Sequence, residues 1–140
     1  MQKIIPFLWF DNNAEEAVNF YVSVFSNRPV TSKAGKKTKI GKTAFYNDEA
    51  AAVSGMPKGS LMTAEFILNG QEFVAINGGP HFKFTEAISF VINCDDQEEV
   101  DYFWDKLSEG ADEKAQQCGW LKDKFGLSWQ VVPVILSKLM

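Results

Sequence analysis

Pro6-Phe-Leu-Trp-Phe-Asp-Asn-Asn-Ala-Glu-Glu-Ala-Val-Asn-Phe-Tyr21 can be laid over Ser89-Phe-Val-Ile-Asn-Cys-Asp-Asp-Gln-Glu-Glu-Val-Asp-Tyr-Phe-Trp104 at an offset of 83 residues. Phe7 then meets Phe90, Glu15 meets Glu98, Glu16 meets Glu99, Phe20 meets Phe103, and Tyr21 faces Trp104. Self-similarity at a fixed offset marks a duplicated structural unit. Each copy opens with a short apolar run rich in aromatic or β-branched residues, which reads as a strand. In the polar corner that follows, Asn13 with Glu16, and Asp96 with Glu99, have the spacing of a capping box. Ala14, Ala17, Val18, Tyr21 and Val22, then Val100, Phe103, Trp104 and Leu107, keep helical spacing. Both copies are therefore strand followed by amphipathic helix.

The segments beyond the helices also correspond. Gly70-Gln-Glu-Phe-Val-Ala-Ile76 aligns with Gly126-Leu-Ser-Trp-Gln-Val-Val132 at an offset of 56, so the second copy is 83 − 56 = 27 residues shorter. Most of the excess falls between Arg28 and Ser60, a stretch rich in Lys, Gly, Ala and Ser. Met62 to Leu68 and Phe73 to Ile76 read as strands joined by the Asn69-Gly70 hairpin signal. Gln116 to Leu121 and Leu127 to Val132 flank Lys122-Asp-Lys-Phe-Gly126 in the same way. The expectation is a single α+β domain over residues 1–140, with module one at about 1–80 and module two at about 81–140. Each module is read as strand, helix and about three antiparallel strands (βαβββ). With helices outside, the two mixed sheets would cup into a barrel-like pair around a cavity, the default place for a small ligand.

Composition narrows the function. Twelve Phe and four Trp among 140 residues supply a core that needs no metal or disulfide. Lys+Arg 14 against Asp+Glu 18 leaves a net charge of −4, which lacks the basic footprint of a nucleic-acid or anionic-membrane binder. The apolar run from Leu127 to Leu136 is broken by Ser128, Gln130 and Pro133 and is too short to span a bilayer. No secretory signal is visible in the opening residues. Cys94 and Cys118 form neither a Cys-x-x-Cys motif nor a disulfide framework. A cytoplasmic protein with reduced thiols is expected, with no nucleic-acid or membrane partner.

The head motif of the repeat, with Asn77-Gly-Gly-Pro-His-Phe-Lys-Phe-Thr-Glu-Ala-Ile-Ser-Phe90 and Gln117-Cys-Gly-Trp-Leu-Lys-Asp-Lys-Phe-Gly-Leu-Ser-Trp-Gln-Val-Val-Pro133, resembles the PhnB-like branch of the vicinal oxygen chelate superfamily. Members of that branch often carry the inherited name of demethylubiquinone methyltransferase. The resemblance implies the glyoxalase/bleomycin-resistance fold and a homodimer. Superfamily enzymes hold a divalent metal with one His or Glu from the first and last strand of each module. Carried across by the repeat, those positions are Pro6, Val74, Ser89 and Gln130. None offers an imidazole, thiolate or carboxylate donor, so no metal and no cofactor are expected.

The remaining candidates are few. His81, the only histidine, is the sole catalytic candidate, as an acid/base or hydrogen-bonding group beside Asn77. The plainer reading makes it a loop residue after Gly78-Gly79-Pro80. Cys118 and Cys94 read as small structural side chains, and Glu15-Glu16 and Glu98-Glu99 as solvated helix starts. Glu65 and Glu86 interrupt apolar runs and would face the cavity or a sheet edge. Gly35-Lys-Lys-Thr-Lys-Ile-Gly41-Lys42-Thr43 has one residue too many for a phosphate loop and reads as a flexible Lys-rich hairpin loop. Phe7, Trp9 and Trp129 read mainly as core. The expected ligand-binding set is Leu8, Phe10, Asn77, His81, Phe82, Ser89, Trp120 and Gln130, apolar walls with a few polar contacts. Two functions fit: a homodimer binding an unidentified small molecule without metal, or a superfamily enzyme of lyase, isomerase or dioxygenase type with an unusual metal supply. A methyltransferase role is disfavoured, because no glycine-rich strand-to-helix loop is present.

Overall fold

Asn69 and Gly70 both take positive φ, 48° and 83°, the left-handed pair that a two-residue type I′ turn requires. The turn joins β3 (Leu61–Leu68) to β4 (Gln71–Asn77) with Leu68 opposite Gln71. β1 (Phe7–Phe10) adds in parallel along β4, and β2 (Lys39–Phe45) adds antiparallel along β3, giving the order β1-β4-β3-β2. The computed structural model describes residues 2–29, 37–116 and 119–134. Cys118 and the stretch from Val30 to Lys36 lie outside them.

α1 (Ala14–Ser26) buries Ala14, Ala17, Val18, Tyr21, Val24 and Phe25, the i, i+3, i+4, i+7 stripe of a helix lying on a sheet. Strand register places Leu8, Phe10, Ala64, Phe66, Phe73, Ala75 and Asn77 on one face of the first sheet. The Phe66 ring stacks on Phe73 at 5.2 Å and on Tyr21 of α1 at 6.4 Å between centroids, which identifies that face as the helix-covered one. Asn77 also caps α1 from across the sheet: its Oδ1 accepts from the Ala14 amide at 2.8 Å, and its Nδ2 donates to the Leu61 carbonyl at 3.2 Å.

Two expectations change in this unit. Residues 39–43 of the Lys-rich segment are not a flexible loop but part of β2, held by the ladder to β3 with a register shift between Ile40 and Thr43. A second helix, α2 (Asp48–Ser54), follows, capped by Asn47, whose Oδ1 accepts from the Ala50 amide at 2.8 Å, and stopped by Gly55 at φ 79°. Charged and small residues alternating on an exposed edge strand carry no apolar periodicity, so this segment was opaque to pattern reading.

The second unit runs β5 (Ser89–Cys94), α3 (Gln97–Ser108), a 3-10 turn at Glu113–Ala115, β6 (Trp120–Lys122) and β7 (Ser128–Pro133), in the sheet order β5-β7-β6. β5 is parallel to β7, and β6 is antiparallel to it. Two strands follow α3 among the described residues, one fewer than expected. The Asp112 carboxylate accepts from the Lys114 amide at 3.0 Å, which turns the chain where module one runs extended. The core is Phe103 and Leu107 of α3 against Leu121, Trp129 and Val131. The described residues group into two compact units, one reaching Ser26 and then continuing to Lys83, the other of Asn27 to Pro29 with the chain from Phe84 onward. The expected α+β class with two mixed, helix-backed sheets holds. Each sheet stays open and closes into no barrel. No described helix is long and apolar enough to cross a membrane.

Candidate functional site

Alternation of side chains leaves each sheet a second face that its helix does not cover. On β5-β7-β6 that face is polar. Ser89, Ser128 and Lys122 form one cross-strand row, and Val91, Gln130 and Trp120 form the next. Gln130 Nε2 donates to Ser89 Oγ at 3.0 Å. The Lys122 ammonium pairs with Glu86 and holds its carboxyl below the usual carboxylate range. Ser128 is only 1% exposed, and its hydroxyl is buried without a hydrogen-bond partner. A cavity of about 250 Å³ is lined by Glu86, Trp120, Leu121, Lys122 and Ser128.

The hairpin between β6 and β7 sets this geometry. Asp123, 4% exposed, accepts from the Phe125 amide at 2.9 Å and the Leu127 amide at 3.1 Å through Oδ1, and from the Trp129 indole at 2.8 Å through Oδ2. Lys122 and Ser128 are the residues flanking that anchored turn, directly opposite one another.

On the first sheet the open face carries Trp9. Its indole Nε1 donates to the Gly79 carbonyl at 2.9 Å, with the Phe82 ring edge-on at 4.8 Å and the His81 ring at 6.5 Å. His81 and Phe82 are thus gathered about a residue that sequence reasoning favoured as core.

The expected ligand set therefore divides. Ser89, Trp120 and Gln130 come together on the open face of the second sheet, and His81 and Phe82 come together at Trp9. Leu8 and Phe10 lie on the helix side of the first sheet, 7% and 3% exposed, and Asn77 is spent on the α1 cap and on accepting the Tyr46 hydroxyl at its carbonyl. The reason is a single residue. Phe7 opposite Val74 matches Val91 opposite Gln130, so the first strands correspond at an offset of 84 (7 to 91), although the helix starts Ala14 and Gln97 correspond at 83. The corner Asp11-Asn12-Asn13 is one residue longer than Asp95-Asp96, and a one-residue slip exchanges the faces of a strand. Lys122 and Ser128 were missed, whereas Glu86, expected to face the cavity or a sheet edge, lines the cavity. Ser128 could have been found, because it shares strand parity with Gln130.

The same correction moves the first-strand metal position from Pro6 to Ile5. Ile5, Val74, Ser89 and Gln130 supply no imidazole, thiolate or carboxylate, and among the described residues no three His, Cys, Asp or Glu gather where an ion could sit. These residues do not fit the divalent metal of the superfamily.

Electrostatics mark one further region as structural. Burial, and then the Glu99 charge, push the Cys94 thiol up to about 12. Burial also raises the Glu99 carboxyl, which accepts from the Asp95 amide at 2.8 Å while Asp96 accepts from the Glu99 amide at 2.9 Å. The capping box is present, with Glu99 reaching one residue beyond the cap. At pH 8 the Cys94 thiolate is roughly one part in ten thousand of the thiol. Iodoacetamide should therefore leave the Cys94 peptide unmodified in the folded chain and alkylate it fully in urea, as read by peptide mass spectrometry. Rapid labelling without denaturant would contradict the burial.

The sequence model of the 3-demethylubiquinone-9 3-methyltransferase family matches residues 2–132. The chain belongs to this PhnB-like family. Among solved structures, the PhnB protein of Bacillus cereus is 33% identical, covering 94% of this chain and 99% of its own, with a TM-score of 0.72. Protein PA1353 of Pseudomonas aeruginosa, 20% identical over 95% of this chain and 98% of its own, has a TM-score of 0.64. An Arabidopsis thaliana gene product, 18% identical over 94% and 98%, has a TM-score of 0.53. Both share the fold. No curated protein sequence matches the chain. The PhnB-like chain accordingly shares the fold of the Bacillus cereus PhnB protein.

Proposed function

We propose that the PhnB-like chain is a small-molecule-binding homodimer that works without the superfamily metal, holding its ligand on the open face of β5-β7-β6. The observation that carries this reading is the Ser89–Gln130 pair beside the 39% exposed Trp120, with the unpartnered Ser128 hydroxyl in the adjoining row. An aromatic wall with a few oriented polar groups is what a small-molecule site requires. Phe7, Phe45 and Val91, each more than half exposed, are apolar surface that association of two copies would cover. The methyltransferase name of the family is not adopted. The strand-to-helix corners Asp11-Asn12-Asn13 and Asp95-Asp96 contain no glycine, and a glycine-rich turn is what lets backbone amides approach a cofactor closely.

Native mass spectrometry of protein purified from its own cells tests the reading. The expected species is two chains carrying an organic ligand of low mass with no Zn, Ni, Mn or Fe. Gln130→Leu should weaken ligand binding at least tenfold in Kd, about 1.4 kcal/mol or more. A stoichiometric transition metal, or a bare monomer confirmed by light scattering, would overturn it.

A further inference from the structure

We propose that Lys122, Ser128 and Trp120 form a subsite for the carboxylate of a compact organic acid, and that Glu86 is an internal stand-in which the ligand displaces. The inference rests on the small-molecule reading above and names the ligand's chemistry.

Ser128 carries the argument. The residue lines the cavity and is 1% exposed, and no hydrogen-bond partner meets its buried hydroxyl. A buried polar group left unpaired costs about 1–3 kcal/mol, so the position favours whatever supplies a partner. The neighbours in its row supply none: Lys122 is paired with Glu86, and Ser89 Oγ, which accepts from the Gln130 amide and keeps a second lone pair, makes no bond to Ser128. The missing group is an acceptor, and it must tolerate the Lys122 ammonium next to it.

A carboxylate satisfies both demands. One oxygen takes the ammonium, the other takes the Ser128 O–H, and charge assistance strengthens both bonds. Glu86 now makes the first of these contacts and not the second. Its side chain is 65% exposed against 35% for Lys122, and it sits in the turn before β5, so it can swing out without breaking a sheet hydrogen bond. Exposed ion pairs contribute only about 0.2–1 kcal/mol, a small barrier to exchange. The ligand's apolar body would lie against Trp120. At about 250 Å³ the cavity falls below the roughly 300–1,000 Å³ of sites for drug-sized ligands, which selects a small acid.

The test is a titration of the full chain with benzoate, and with benzamide as its uncharged analogue, followed by amide NMR shifts on β6 and β7. Removing the internal competitor with Glu86→Gln should tighten benzoate binding three- to tenfold and leave benzamide unchanged. Ser128→Ala should weaken benzoate by a similar factor. Lys122→Met should abolish the response while Lys122→Arg preserves it, with circular dichroism verifying the fold of each variant. Unchanged or weaker benzoate binding in Glu86→Gln, or benzamide binding as tightly as benzoate, overturns the inference. If benzoate fails but an uncharged ligand co-purifies and is lost in Gln130→Leu, the carboxylate assignment falls and the small-molecule reading stands. If no probe binds and nothing co-purifies, both fall.

Discussion

Asp123→Ala should destabilise the protein by about 3–5 kcal/mol, because it leaves three N–H donors without their acceptor at about 1–3 kcal/mol each. The side chain is 4% exposed and accepts three hydrogen bonds, from the Phe125 and Leu127 amides and from the Trp129 indole. Without it, two turn amides and the indole N–H of a residue only 2% exposed lose the acceptor that compensates their burial. Each such loss costs about 1–3 kcal/mol, and the three are not additive because they share one group. Asp123→Asn keeps one acceptor oxygen and should recover about half of the loss. Urea unfolding should show a lower midpoint at unchanged slope. A change under 1 kcal/mol for Asp123→Ala would mean that the hairpin is held by its strands alone. The effect should also reach the proposed ligand face, since the turn fixes Lys122 opposite Ser128: at a temperature where Asp123→Ala is still folded, benzoate should bind it more weakly than it binds the parent.

How much of this could be read from the chain depended on whether a residue's job was local. The Asn69-Gly70 turn, the Asp96–Glu99 cap and the α1 stripe follow from short-range rules, and each appears where those rules place it. Asn77 illustrates the opposite case. As a polar residue at a strand end it looked available for a ligand, yet it caps a helix 63 residues earlier in the chain, a long-range use that no local pattern announces. Leu8 and Phe10 failed for a third reason, the single extra residue in the first corner, which left the helices aligned while reversing the strand faces. The ion pair of Lys122 with Glu86 crosses from a turn to a strand and was equally invisible, whereas Ser89 and Gln130 share one open face as their parity implies, because strand parity within the second module is independent of the offset between modules.

Gly78→Ala should cost about 3 kcal/mol, the upper end of the usual range for overpacking, although the change adds one methyl group to a residue outside any helix. Gly78 is buried, and its amide donates to the Phe10 carbonyl at 2.9 Å, continuing the parallel pairing of β1 with β4 beyond Asn77. A Cβ there would be driven into the six-membered ring of Trp9. The indole cannot simply tilt away, because Nε1 is tied to the Gly79 carbonyl and the Phe82 ring packs edge-on against it at 4.8 Å. Either the indole leaves, breaking that hydrogen bond and releasing Phe82 and His81, or the β1–β4 pairing opens. A thermodynamic cycle separates steric conflict from a backbone effect. In a Trp9→Ala background the conflict has no partner, and Gly78→Ala should then cost under 1 kcal/mol. If the cost stays at about 3 kcal/mol in both backgrounds, the glycine is required by its own backbone and the Trp9 packing is not the cause. The indole N–H resonance supplies a second readout. It should shift strongly in Gly78→Ala even where the chain remains folded, since the Trp9 hydrogen bond to Gly79 is the contact that the new methyl group displaces.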